Sequence, residues 1–245
     1  MSEARQGISK NQVKLIKSLA IKKYRIKHKL FIAEGKKLIE ELSESNYRVK
    51  SCWVLDDVES TSLRFPCSAI SRAELKNISQ LTQPHYGLAL VQMPDEIDTA
   101  EQKINLVLDG ISDPGNMGTI IRLADWYGLN KIVCVNNCVD VFNSKTVQAS
   151  MGSLFRIQVV EKEPDNIKWI SPVYGAYLDG DNLHTAALKT PCTLIVGSES
   201  QGINPNLTEF CHARVSIPRF GRAESLNAGV ATGIILNHLV QVGKS

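Results

Sequence analysis

No stretch of the chain approaches the roughly 18 to 20 uninterrupted apolar residues that a membrane-spanning helix needs, so a helical membrane protein is excluded. The start, MSEARQGISKNQ, is polar and has no apolar secretory core, and the expected compartment is the cytoplasm. Neither a CxxC pair nor a His-containing zinc spacing accompanies the six cysteines, Cys52, Cys67, Cys134, Cys138, Cys192 and Cys211. Scattered over a chain of this size, they read as reduced, mostly buried thiols rather than a disulfide framework. The five histidines, His28, His85, His184, His212 and His238, are spread along the sequence, and no metal site is expected. No G-x-G-x-x-G follows a strand and no P-loop lysine occurs, which weighs against a dinucleotide-dependent enzyme. There is no internal repeat and no low-complexity segment.

What is present is an ordinary globular composition: 245 residues, 43% apolar and 22% charged, enough for one large or two small domains. The net charge of +3 hides an asymmetry, because residues 1–50 hold 13 Lys and Arg against 5 Asp and Glu, whereas residues 51–245 hold 15 against 20. Between Arg5 and Lys29 there are nine basic residues and no acid, the footprint of a polyanion contact, although a solvated helix face reads equally well. Lys22, Lys23, Arg25, Lys27 and Lys29 are too dense to sit together comfortably without a counter-charge.

Ser9, followed by Gln12 and by Val13, Leu15, Ile16 and Leu19, has the form of a capping box opening an amphipathic helix that carries this basic face. A second helical stretch, KKLIEELSES, and short strand-like segments at SCWVL and LALVQM complete a small α/β unit. The segment Met93 to Lys103, with Pro94 and no core pattern, is the candidate linker, with a boundary near residue 100. Beyond it, apolar runs such as INLVLD and KIVCVN alternate with helical patterns such as GTIIRLADWYG, which argues for a parallel sheet covered by helices. A closing helix is expected from about Ser225 to Val242.

Three polar, glycine-bearing loops each follow an expected strand: DGISDPGNMG, GSESQG and PRFGRAESLN. In open α/β sheets ligands gather at the carboxyl ends of strands. Asn116 offers donors and acceptors just before a helix whose first N–H groups lack partners, though Asp113 to Asn116 reads equally as a turn and helix cap. Arg122, among Ile120, Ile121, Leu123 and Ala124, needs a partner: a carboxylate such as Asp125, or a phosphate or developing oxyanion. Glu199 reads either as a site carboxylate or as a helix cap, and Ser225 either as a site hydroxyl or as an N-cap. Gly229 and Gly233, four apart in a helix, point to close packing.

Taken in order, LDGISDPGNMGTIIRLADWYGL, LIVGSESQGI and SIPRFGRAESLNAGVATGIILNHL closely resemble the three motifs of the SpoU/TrmH RNA 2'-O-ribose methyltransferases of the SPOUT superfamily. The resemblance covers Ile104 to about Leu239, and SKNQVKLIKSLAIKKYRIKHKLFIAEGKKLIEEL is similar to that family's small RNA-binding domain. It implies an α/β architecture with residues 1–96 as a basic RNA substrate-binding domain and residues 104–245 as the methyltransferase domain, its parallel sheet ending in a deep trefoil knot. It further implies S-adenosylmethionine as cofactor, ribosomal or transfer RNA as partner, and a homodimer formed through the C-terminal domain.

Carried over by position, Asn116, Arg122, Glu199, Ser225 and Asn227 become the polar active-site residues, and the backbone around Val196, Gly197, Ile217 and Leu226 the cofactor seat. Lys10, Lys14, Lys22, Lys23, Arg25, Lys27 and Lys29 become the RNA clamp. Arg219-Phe220 stands where the family usually has an apolar residue after the Pro, and His85-Tyr86-Gly87 replaces a more usual Pro-Gln-Gly. The implied reaction is transfer of a methyl group to a ribose 2'-hydroxyl. Because a guanidinium is a poor base, Arg122 is expected to stabilise the emerging alkoxide or hold the adjacent phosphate. The competing expectation from another class is a catalytically silent RNA-binding or ribosome-assembly protein on the same fold.

Overall fold

The computed structural model describes residues 7–58, 63–96 and 102–244. Arg5 and residues 97–101 of the expected linker lie outside the described residues. Two compact units result: residues 1–95 with 140–155, and residues 96–139 with 156–245.

The first unit opens with α1 (Lys10–Ser18), whose capping box forms as expected: the Ser9 hydroxyl accepts from the Gln12 backbone, and the Gln12 side chain accepts from the Ser9 N–H at 2.8 Å. The basic stretch is two helices rather than one, because the chain turns at Leu19–Ile21 before α2 (Lys22–His28). There follow β1 (Leu30–Glu34), α3 (Lys36–Ser43), β2 (Val49–Leu55), β3 (Ser68–Ile70), α4 (Arg72–Ile78) and β4 (Gly87–Gln92). The strands form a mixed sheet in the order β1-β4-β2-β3. Side chains alternate across a strand, so Leu30 and Ile32 join Ile16, Leu19, Trp53 and Leu75 in one core cluster. Phe31 turns to the other face and packs against Phe142 and Phe155, with ring centroids 4.9 and 6.5 Å away.

The second unit contains β5 (Ile104–Asp109), α5 (Pro114–Trp126) and β6 (Lys131–Val135). The chain then contributes residues 140–155, including α6 (Ser144–Ala149), to the first unit, where α6 packs against β1. It continues through β7 (Gln158–Glu161), β8 (Val173–Asn182), β9 (Cys192–Gly197), α7 (Pro205–Thr208), β10 (Ala213–Ser216) and α8 (Ala228–Val242). All six strands run parallel in the order β10-β8-β9-β5-β6-β7. The central β5 is buried along its whole length, the near-continuous apolar pattern of a sheet covered on both faces.

α5 and α8 approach closely, and the two glycines of α8 explain how. A Cβ on Gly229 would stand 2.9 Å from Thr119 Cγ2, and one on Gly233 would stand 3.2 Å from Leu123 Cδ2. Four of the six cysteines are buried and all six are free thiols.

Candidate active site

The register Asp109↔Gly197 brings the carboxyl ends of β5 and β9 side by side, so the loops after them start together. Asp109 ties this end of the sheet down. Its buried carboxylate accepts from Asn136 Nδ2 at 2.8 Å and from the Asn204 backbone N–H at 2.5 Å, securing the segments that follow β6 and β9. Sequence reading missed this brace; the one available signal was an acid ending an otherwise apolar strand.

Asp113 caps α5, accepting from the Asn116 backbone N–H at 2.8 Å, and Pro114 takes the first helical position, where its missing N–H costs nothing. This leaves the Asn116 side chain free for tertiary contacts. Its Nδ2 donates to Glu199 Oε1, and its Oδ1 accepts from Asn227 Nδ2 at 2.5 Å. Glu199 Oε1 also accepts from the Ala228 N–H at 3.1 Å, while Asn227 Oδ1 caps α8 through the N–H groups of Gly229 and Val230. One residue from each of the three loops thus enters a single hydrogen-bonded cluster. Glu199 thus caps the start of α8 and at the same time accepts from the Asn116 side chain. The helix begins at Ala228, with Asn227 rather than Ser225 as its N-cap.

Beside the cluster lies a cavity of about 640 Å³, within the range of small-molecule and cofactor sites. Val196, Gly197, Ile217 and Leu226, the four expected cofactor contacts, all line it, as do Glu199 and Ser225. The walls are mostly apolar side chains with loop backbone between them, which suits a flat heterocycle and a thioether better than a polyphosphate. Arg219 and Phe220 line the same cavity.

Arg122 stands apart from this wall. It is exposed on α5, and its guanidinium has no hydrogen bond or ion pair within the described residues. The carboxylate considered as its partner, Asp125, pairs instead with Arg156 at 2.8 Å.

Among the expected RNA contacts, Lys10, Lys14, Lys22, Lys23, Lys27 and Lys29 are exposed. Arg25 is a correction: it is 4% exposed, bonded to Asp140 Oδ2 at 2.9 and 2.5 Å and to the Leu19 carbonyl at 2.6 Å. Asp140 supplies the counter-charge to this one member of the dense basic run, and the Arg25 side chain is not available to a polyanion.

Residues 103–237 match the family model described as the SpoU rRNA Methylase family, and residues 10–89 match the MRM3-like substrate binding domain. The chain is 34% identical over 241 residues to the 23S rRNA (guanosine(2553)-2'-O)-methyltransferase RlmP of Bacillus subtilis, covering 94% of this chain and 97% of the relative. The solved structure of a putative RNA methyltransferase of the TrmH family from Porphyromonas gingivalis superposes with a TM-score of 0.81 at 34% identity, covering 94% and 97% of the two chains. The AdoMet-bound rRNA methyltransferase of Sinorhizobium meliloti superposes with a TM-score of 0.82 at 28% identity, covering 95% and 96%. With its motif loops converging on one cavity and more than half its length matched by the family model, the chain belongs to the SpoU rRNA methylase family.

Proposed function

We propose that this chain is an S-adenosylmethionine-dependent RNA methyltransferase acting on a ribose 2'-hydroxyl of ribosomal or transfer RNA. The observation that carries the reading is the cluster of Asn116, Glu199 and Asn227 at the edge of a cofactor-sized cavity, built by the three family motifs. The names of the relatives, which describe 2'-O-methyl transfer to rRNA and AdoMet binding, support it. So does the intact polar set, for which a silent RNA-binding protein would have no use.

When bound, S-adenosylmethionine supplies an electrophilic methyl group on a sulfonium. Val196, Gly197, Ile217 and Leu226 would hold it. The residues of this chain must then align the ribose oxygen with that methyl and stabilise charge on the oxygen. Glu199 fixes Asn116, Asn116 fixes Asn227, and Ser225 stands at the cavity wall to orient the ribose. Arg122 brings an uncompensated positive charge for the emerging alkoxide or the neighbouring phosphate.

The reading includes a homodimer. Between α5 and α8 lies a groove of about 650 Å³ lined by Thr119, Leu123, Gly229 and Gly233, with Trp126 nearby at 83% exposure. Arg122 shares the Thr119, Leu123 and Trp126 face of α5 by helical spacing. A second copy covering this face would bury Trp126 and carry Arg122 to the subunit boundary. The reading also takes the C-terminal loops as a knot and residues 1–96 and 104–245 as substrate-binding and methyltransferase domains. Lys10, Lys14, Lys22, Lys23, Lys27 and Lys29 serve as the RNA clamp, and the compartment is the cytoplasm. No described helix is long and apolar enough to cross a membrane.

The test is transfer of labelled methyl from S-adenosylmethionine to unmodified ribosomal and transfer RNA, followed by alkaline digestion. A 2'-O-methyl group blocks alkaline cleavage on its 3' side, so label is expected in alkali-resistant dinucleotides. Label confined to mononucleotides, or no transfer together with no S-adenosylhomocysteine binding, would overturn the reading.

A further inference from the structure

Phe220 is 98% exposed, while the other five phenylalanines are buried or half-buried. It sits in the loop after β10, on the wall of the 640 Å³ cavity, with Arg219 immediately before it and Arg222 two residues beyond. Arg219 Nη1 donates to the Ala223 carbonyl at 3.3 Å, a bond that bridges the loop on either side of Phe220 and Gly221. A Cβ added to Gly221 would meet nothing within 4 Å, so the backbone next to Phe220 faces open space. Leu178, 78% exposed, and Leu226 line the same cavity and extend the apolar surface around the ring.

An exposed aromatic ring that shares a cavity wall with the exposed Leu178 and Leu226 forms an apolar patch of the kind that marks a binding surface. Two arginines flanking the ring add positive charge, which Glu224 in the same loop offsets in part. Aromatic faces with adjacent basic groups match an unpaired nucleotide, whose base stacks while its phosphates meet the arginines. We propose that Phe220 is a stacking platform for an unpaired RNA base beside the methylated ribose, with Arg219 and Arg222 holding its flanking phosphates. This rests on the methyltransferase reading and adds a determinant of substrate choice that the motif cluster itself does not supply.

The experiment compares the full-length protein with Phe220→Ala and Phe220→Trp in three measurements: affinity for a fluorescent single-stranded oligoribonucleotide of mixed sequence, affinity for S-adenosylhomocysteine, and oligomeric state. Phe220→Ala is expected to weaken oligoribonucleotide binding about tenfold, in the range for loss of one base–aromatic stack, and Phe220→Trp to restore it to within about twofold. Oligomeric state and melting temperature should not move, and any change in S-adenosylhomocysteine affinity should be much smaller than the loss of oligoribonucleotide affinity. Unchanged RNA affinity in Phe220→Ala would overturn the proposal. A matching loss of S-adenosylhomocysteine affinity would overturn it in favour of a cofactor contact, and a change of oligomeric state in favour of a subunit contact. Failure of the methyltransferase reading shows separately, as absence of methyl transfer by the unaltered protein, because the affinity comparison does not depend on turnover.

Discussion

Arg25 on α2 and Arg122 on α5 occupy helices of opposite design, and their environments invert what those helices suggest. Arg25 comes from a basic run of exposed lysines, yet it is buried and each of its guanidinium nitrogens bonds Asp140 or the Leu19 carbonyl. Arg122 comes from an apolar helix start, yet it is exposed and its guanidinium has no partner within the described residues. A charge whose every guanidinium nitrogen is engaged locally holds the fold together. One left exposed with no local partner is available for a ligand. The lesson is that an arginine's role follows from whether its hydrogen bonds are spent, not from the company it keeps in sequence.

The sharpest way to test this contrast is to remove each arginine. Arg122→Ala should lower methyl transfer by about 100-fold or more, the scale of losing one group that stabilises developing negative charge, while urea unfolding stays unchanged. Arg25→Ala should do the reverse in kind. Removing one partner of a buried pair leaves an uncompensated carboxylate, and a loss of about 3 kcal/mol in unfolding free energy is expected by urea titration. Replacing both Arg25 and Asp140 by apolar residues of similar size should recover much of that loss.

A smaller effect is expected where α5 meets α8. In Gly229→Ala the new methyl would stand 2.9 Å from Thr119 Cγ2, so a neighbour must shift. The expected destabilisation is about 1 to 3 kcal/mol, relieved when Thr119→Ser is added to remove the opposing methyl. The smallest effect is a pH dependence at Glu34 in the first unit. Burial raises the Glu34 carboxyl above its usual value, outweighing the hydrogen bonds donated by the Ser79 hydroxyl and the Gln80 N–H. The folded state therefore holds this proton more tightly than the unfolded chain. Its contribution to stability is fully present below the unfolded value near 4.5 and is lost as pH rises through the raised folded value. Urea midpoints measured across that window should fall with pH, and Glu34→Gln should remove this part of the slope.

What the sequence made legible was local or carried by motif. The capping box at Ser9 and Gln12 needs only three residues of separation, and it formed as read. The alternation of apolar runs and helices beyond residue 103 led to a parallel sheet, because strands buried on both faces lose their polar positions. The four expected cofactor contacts line one cavity because they lie at or beyond the carboxyl ends of β9 and β10, parallel strands of one sheet. The fate of Arg25 was hidden because its partner lies 115 residues away. The excursion of residues 140–155 was equally hidden, since a helix between two parallel strands is what a simple crossover looks like. The break between α1 and α2 carries no Gly or Pro to signal it; across it Leu19 joins the core while Ile21 is exposed.

The most direct measurement sets Arg122→Ala beside Arg25→Ala and reads methyl transfer to RNA and thermal melting on both proteins. The account predicts that Arg122→Ala loses alkali-resistant label at an unchanged melting temperature, whereas Arg25→Ala melts several degrees lower and, below its transition, retains transfer. Full transfer by Arg122→Ala, or a melting temperature that falls with Arg122 and not with Arg25, would contradict it.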